Sequence, residues 1–171
     1  MKAEVIQQRS LLELAELDAE RGRIEHRAGH LVELQRLDDI QATHREANDR
    51  LAALQIALED LDEQVRKFES EIDGVRQRED RDRGLLDSGA TDAKQLTDLQ
   101  HELETLQRRQ SSLEDSLLEV MEHREELQNQ QAAELTKIDE LQKELGEAHG
   151  ACAGARSELD HLRRQLLSRR D

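Results

Sequence analysis

Apolar residues recur along the second half of the chain at alternating spacings of three and four. One heptad register holds for about ten heptads, well beyond the three or four that indicate a coiled coil. The stripe runs through Leu96, Leu99, Leu103, Leu106, Gln110, Leu113, Leu117, Val120, Arg124, Leu127, Gln131, Glu134, Ile138, Leu141, Leu145, Ala148, Cys152, Ala155, Leu159, Leu162 and Leu166. This spacing predicts a long helix whose apolar face packs against a similar stripe.

The first half of the chain repeats the spacing and supplies that second stripe. It runs through Leu37, Ile40, His44, Ala47, Leu51, Leu54, Leu58, Leu61, Val65, Phe68, Ile72 and Val75. Upstream it continues through Leu14, Leu17, Ile24, Ala28 and Leu31. From Leu31 to Ile40, however, the steps are threes only and Gly29 precedes them, which predicts a kink near residues 29–34.

A short stretch with turn chemistry, GLLDSGATD, separates the two stripes. Its two glycines allow turn conformations, and Thr91 or Asp92 can cap the helix that follows. Gln95 comes three residues after Asp92, as in a capping box. We therefore expect residues 84–91 to form the tip of a helical hairpin.

Together these patterns predict an all-α architecture, a long antiparallel coiled-coil helical hairpin. The first arm covers residues 1–83, the tip 84–91 and the second arm 92–171. A parallel dimer of unbroken helices is the alternative, and the glycines at the midpoint favour the hairpin. Because two helices bury little apolar area per residue, a monomeric hairpin and a homodimer both stay open.

The position of the tip also predicts which residues face one another. Folding about Ser88 makes the numbers of paired residues add to roughly 176. Val75 then lies opposite Leu99 and Leu103.

The seam contains polar members that this pairing brings together. His44 falls opposite Gln131, with Glu134 one turn away. Such a polar layer can fix the register or mark a bending point, since single polar seam residues have that use. The alternative is that the positions are ordinary half-exposed seam sites.

Composition supports a coiled coil and limits the function. The chain is 38% charged and 35% hydrophobic, with no Pro, Trp or Tyr and one Phe. Ordinary globular cores depend on aromatic residues, and the regular heptads argue against a disordered acidic chain. The net charge of −15 argues against a protein whose main task is to grip phosphate backbones.

The sequence offers little for catalysis or metal binding. It has no glycine-rich phosphate loop and no nucleophile elbow, so we expect neither enzymatic activity nor a bound cofactor. His26 and His30 share a helix face, and His149 could lie across from them, but Arg27 stands where a zinc-protease helix needs Glu. Cys152 is interpreted as a small buried seam residue, with a reactive thiol as the alternative.

No segment has the features of a secretory signal or a membrane span. The opening MKAEVIQQRS lacks an apolar core, and no run of about 18 apolar residues occurs. We therefore expect a cytoplasmic protein that does not enter the membrane.

The segment RDRGLLDSGATDAKQLTDLQHELETLQRRQSSLEDSLLEVMEHREEL and the opening MKAEVIQQRSLLELAELD resemble a known family. They are similar to bacterial coiled-coil hairpin proteins that end in a four-cysteine zinc ribbon, and the use of Arg over Lys with much Ala is typical of a GC-rich, actinobacterial member. This chain stops at LLSRRD and has one cysteine. The resemblance therefore places zinc on no residue present here, and zinc is expected only if a ribbon follows.

The resemblance implies a non-enzymatic scaffold or adaptor that binds protein partners, including transcription or secretion components. The candidate partner-binding residues lie at the tip: Leu85, Leu86, Asp87, Ser88 and Gly89. Two leucines at a turn need a partner or else close the hairpin end by local packing.

The alternative that the resemblance implies is nucleic-acid binding together with the missing ribbon. Local arginines at the carboxyl end would supply phosphate contacts. They are Arg156, Arg163, Arg164, Arg169 and Arg170. No aromatic side chains accompany them, so base stacking there is not expected.

Overall fold

The computed structural model describes residues 2–89 and 92–170, and these residues are helical almost throughout. Helix α1 spans Lys2–Gly29, α2 spans Val32–Asp87 and α3 spans Ala93–Arg170. The described part contains no strand. The absence of Pro and the abundance of Leu, Glu, Gln, Ala and Arg account for helices of this length. The predicted all-α coiled-coil hairpin is confirmed.

The helices form two compact units. The first combines Met1–Asn48 with Thr136–Asp171, and the second is the continuous segment Asp49–Leu135. The second unit contains the connection between α2 and α3. The first unit draws on all three helices and the second on α2 and α3, and in each the core lies along the seam of the packed helices.

Burial follows the stripes that the spacing predicts. On α3 every stripe position from Leu99 to Leu166 is buried or half-buried, whereas Leu96 is 39% exposed. On α2 every stripe position from Leu37 to Val75 is buried or half-buried. Because a fully buried Leu, Ile or Val side chain contributes about 1.5–3 kcal/mol, these positions supply most of the folding energy.

The register within the second unit differs from the one predicted. Ion pairs among the described residues join α2 to α3, and they include Arg50–Glu134, Asp62–Arg124, Glu71–Arg109 and Arg76–Glu114. Their residue numbers add to between 180 and 190, not to 176. Val75 accordingly clusters with Leu106 and Leu113 rather than with Leu99 and Leu103.

The connection between α2 and α3 explains part of that shift. Helix α2 continues to Asp87, so residues 84–87 are helical and do not belong to a turn. The N–H of Ser88 still donates to the carbonyl of Gly84 at 3.1 Å, and Gly89 then takes a φ of 65°. A left-handed glycine just past the last helical turn is a common helix end.

Helix α3 begins with a side-chain cap. The N–H of Gln95 donates to Oδ1 of Asp92 at 2.8 Å, which satisfies one of the free N–H groups of the first turn. The prediction that Asp92 caps this helix is confirmed. Thr91, the other candidate cap, lies outside the described residues.

Helix α1 ends within the region where the spacing predicts a kink. The N–H of His30 donates to the carbonyls of His26 at 3.1 Å and Arg27 at 3.2 Å, and α2 starts at Val32. Leu31 is 5% exposed and anchors the connection. Helix α2 then runs through the threes-only segment without a second break, so the interruption is confined to two residues.

The stripe on α1 is buried less well. Leu17, Ile24 and Ala28 are half-buried, while Leu14 is 37% exposed. Leu17 lines a narrow cleft with Leu166 of α3, not with the residues around Leu159 that the predicted register places there. The first unit therefore shows the same direction of shift as the second.

Candidate functional site

The tip residues divide between the seam and the surface. Leu85 is 47% exposed, whereas Leu86 is half-buried at the next seam position. Asp87, Ser88 and Gly89 are exposed. The hydroxyl of Ser88 donates to the carbonyl of Leu85 at 2.8 Å, so the turn holds the exposed leucine in a defined place.

Two acidic residues continue the seam of α2 toward the tip. After Val75 the spacing of four and three reaches Glu79 and Asp82, and these are 4% and 7% exposed. Sequence reasoning missed them because the predicted stripe ends at Val75, the last apolar residue before the tip. The same spacing, continued through charged residues, would have found them.

Each of these buried carboxylates has one oxygen without a hydrogen bond to the described residues. The atoms are Oε1 of Glu79 and Oδ2 of Asp82. The other oxygen of Glu79 lies 3.5 Å from Nη2 of Arg83, whose side chain is 51% exposed. A buried polar atom that lacks a partner costs about 1–3 kcal/mol, and more when the group is charged.

Glu79 lines an open groove of about 480 Å³ between α2 and α3. Polar and charged side chains surround it. The lining residues are Arg76, Glu79, Asp80, Arg83, Gln107, Gln110, Ser111 and Glu114.

The two arginines of this groove already have acidic neighbours. Nη2 of Arg76 lies 3.3 Å from Oε1 of Glu114, and the amide of Gln110 donates to the same oxygen at 3.0 Å. Nη1 of Arg83 lies 3.8 Å from Asp80. Among the groove residues that the structure describes, Oε1 of Glu79 is a buried side-chain atom without a hydrogen-bond partner.

Further from the tip, polar seam members reach across to the flank of the other helix. Nε of Arg124 lies 3.0 Å from Oδ1 of Asp62. Nε of Arg50 donates to Oε1 of Glu134 at 2.8 Å. Half-exposed pairs of this kind contribute at most about 1 kcal/mol, so they favour one register more than they stabilise the fold.

Comparison with known proteins places this helix pair in a family. A model of the CT398-like coiled coil hairpin domain matches residues 14–171. The chain belongs to the CT398-like coiled-coil hairpin family. The hairpin part of the resemblance is thereby confirmed, and the zinc ribbon stays a prediction.

Mycobacterial proteins are similar over most of this CT398-like hairpin. An uncharacterized protein of Mycobacterium tuberculosis strain H37Rv is 63% identical over 171 residues, which cover 100% of this chain and 70% of the relative. One from Mycobacterium leprae is 54% identical over 149 residues, which cover 87% of this chain and 64% of the relative. A solved structure from Mycobacterium smegmatis has a TM-score of 0.80 and 62% identity, covering 96% of this chain and 68% of that one.

The predicted polar layer stays a prediction in this CT398-like hairpin. His44, Gln131 and Glu134 are each half-buried. Nδ1 of His44 lies 3.2 Å from the amide nitrogen of Asn48 on its own helix. His44 belongs to the first unit, while Gln131 and Glu134 belong to the second.

The arginines at the carboxyl end of α3 differ in their surroundings. Arg156, Arg164 and Arg169 are exposed, whereas Arg163 is half-buried and lies 3.8 Å from Asp160. The side chain of Arg170 lies outside the described residues. Three carboxylates of α1 share a cleft with Arg169: Glu13, Glu16 and Glu20. Their negative charge offsets the positive charge of this end.

Two further groups singled out by the sequence have ordinary surroundings. The rings of His26 and His30 stack with centroids 4.3 Å apart, and Nδ1 of His30 lies 2.9 Å from the carbonyl oxygen of His26. His149 is exposed on α3, and Cys152 is 4% exposed on its seam. Among the residues described, no group of three or more His, Cys, Asp or Glu is placed to hold a metal ion.

Within residues 2–89 and 92–170, no helical stretch combines the length and the apolar character needed to cross a membrane.

Proposed function

We propose that this CT398-like hairpin is a non-enzymatic cytoplasmic scaffold that binds a protein partner through its tip. The observation that supports the proposal is the exposure of Leu85, which is 47% exposed beside a turn fixed by Ser88 and Gly89. A large apolar side chain on an ordered helix end loses little conformational entropy when a partner covers it.

Nucleic-acid binding is the weaker proposal. Arg156, Arg164 and Arg169 are exposed and could contact phosphates. However, the three glutamates that share the cleft with Arg169 repel phosphate, and the net charge of the chain is −15. These charges make a protein partner the better candidate for this end as well.

The test is the Leu85→Ser variant in a capture experiment. The immobilised protein and the variant are each exposed to a lysate of the source organism, and the bound proteins are quantified by mass spectrometry. We expect Leu85→Ser to lose a partner that the unchanged chain retains, because it removes the exposed apolar contact while sparing the half-buried Leu86.

The matched control is Leu118→Ser, since Leu118 is 58% exposed on α3 and lies away from the tip. This variant should retain the partner. Equal capture by both variants would contradict the tip proposal. Retention of single-stranded RNA that weakens with salt, with a slope of about −0.7 per neutralised phosphate, would favour the nucleic-acid alternative.

A further inference from the structure

The groove beside Glu79 has an unmet hydrogen-bonding requirement. The side chain of Glu79 is 6% exposed, and its Oε1 has neither solvent nor a hydrogen-bond partner among the described residues. Asp82, one helical turn away, has an oxygen in the same condition. A coiled-coil seam gains stability from apolar residues, so two such carboxylates are costly as a purely structural feature.

The cations already present do not meet this requirement. Arg83 approaches only the other oxygen of Glu79, at 3.5 Å, and its side chain remains half exposed. Arg76 is engaged with Glu114 at 3.3 Å. What the groove lacks is one more group that donates hydrogen bonds and carries positive charge.

The shape and lining of the groove favour a flat donor with several N–H groups. The volume of about 480 Å³ is open to solvent, and the side chains of Gln107, Gln110 and Ser111 offer further oxygen acceptors on the α3 side. A guanidinium group has five N–H donors in one plane and can serve Glu79 and these acceptors together.

A carboxylate can present either oxygen to such a ligand. The last side-chain torsion of Glu is broad, so a partial rotation turns the buried oxygen of Glu79 toward the groove. An incoming cation can therefore pair with one oxygen while Arg83 keeps the other.

We propose that this groove binds an arginine side chain of the protein partner. The inference rests on the proposed scaffold function and adds to it a second contact, one cationic side chain in the groove in addition to the apolar contact of Leu85. The site lies on the seam of the second unit, between Val75 and the tip.

The experiment is an NMR titration of the complete chain with the peptide acetyl-Gly-Arg-Gly-amide. The matched probe replaces Arg with citrulline, which has the same shape without the charge. We expect the arginine peptide to produce saturable shifts at the side-chain amides of Gln107 and Gln110 and at the backbone of Ser111. The citrulline peptide should produce no saturable shift.

The test variant is Glu79→Gln, which preserves side-chain size and removes the charge. We expect it to weaken binding of the arginine peptide about tenfold, because the acceptor of the hydrogen bond loses its charge. Glu59→Gln is the control, since Glu59 is an exposed acid on the same helix. It should leave the affinity unchanged, and thermal unfolding of both variants checks that they fold.

Three results would overturn the inference. They are equal shifts with the citrulline peptide, equal weakening by Glu79→Gln and Glu59→Gln, and shifts spread over the acidic surface without a centre at the groove. The peptide titration needs no partner, and Leu85→Ser should not alter it. The titration tests the groove and the capture experiment tests the tip. A failure of either proposal is therefore seen in its own measurement.

Discussion

Glu79 shows how a single residue can lower the stability of a fold that it belongs to. Its position is one where the heptad spacing calls for an apolar side chain, and its neighbours on the seam include the cluster around Ile72 and Val75. Replacing buried charges with apolar residues of similar volume is often neutral or stabilising by about 1–4 kcal/mol. A residue of this kind is better explained by binding than by folding.

Substitution of Glu79 by Leu should therefore raise the melting temperature. The change removes an unsatisfied carboxylate and extends the apolar seam, and it gives up only a half-exposed contact with Arg83. We expect an increase of about 5 °C, measured by circular dichroism at 222 nm. Glu59→Leu, on the exposed face, should change the melting temperature little. A decrease for Glu79→Leu would show that the carboxylate supports the fold.

At the scale of the helices, the heptad stripe predicts correctly which positions are buried. It does not predict correctly which residues of α2 and α3 face each other. All stripe positions from Leu37 to Val75 and from Leu99 to Leu166 are buried or half-buried, because a heptad repeat fixes which face is covered. Sliding one helix by a heptad restores the same pattern, so the spacing cannot choose among such registers. The register is fixed by the ion pairs between the helices and by where the helices end. Helix α2 ends at Asp87, further along the chain than the predicted start of the turn.

The candidate site is predictable only in part for a related reason. Turn chemistry locates the tip and the Asp92 cap, since glycine and aspartate have strong local preferences. It does not reveal that Leu86 joins the seam while Leu85 is exposed, because the glycines predict a turn from residue 84 and the seam reaches Leu86 only if α2 continues that far. Glu79 is missed because the charged residues after Val75 give no apolar signal that the seam continues, although the spacing of four and three does.

The two glycines near the tip should respond in opposite directions to alanine. Gly89 has a φ of 65°, and Ala at such an angle costs about 1–2 kcal/mol. Gly84 lies within α2 and a Cβ there would meet nothing within 4 Å, so Gly84→Ala should stabilise by up to about 1 kcal/mol. Urea unfolding of both variants measures the difference. Equal effects would contradict the left-handed turn at Gly89.

At the scale of the whole molecule, the chain keeps an unusually large surface. It exposes 12837 Å², whereas a compact protein of 19.7 kDa exposes about 8,600 Å². In each compact unit the helices pack along narrow seams, which leaves most side chains in contact with solvent. Less area is therefore buried on folding than in a globular domain of equal length.

The guanidinium unfolding slope should reflect this small burial. Since that slope scales with the area exposed on unfolding, we expect about four fifths of the value for a compact helical protein of equal length. The measurement is repeated over a hundredfold range of protein concentration. A full slope with a midpoint that rises with concentration would contradict a monomer and show that a second copy covers the seam.

The first unit also contains a buried thiol whose chemical labelling measures local opening of the fold. Cys152 is the single cysteine of the chain and is 4% exposed on α3. A thiol reagent can modify it only when the surrounding side chains separate, since the sulfur must ionise and be reached to react. The rate of labelling therefore reports how often this unit opens in the unaltered protein. The second unit has no thiol and contributes no signal.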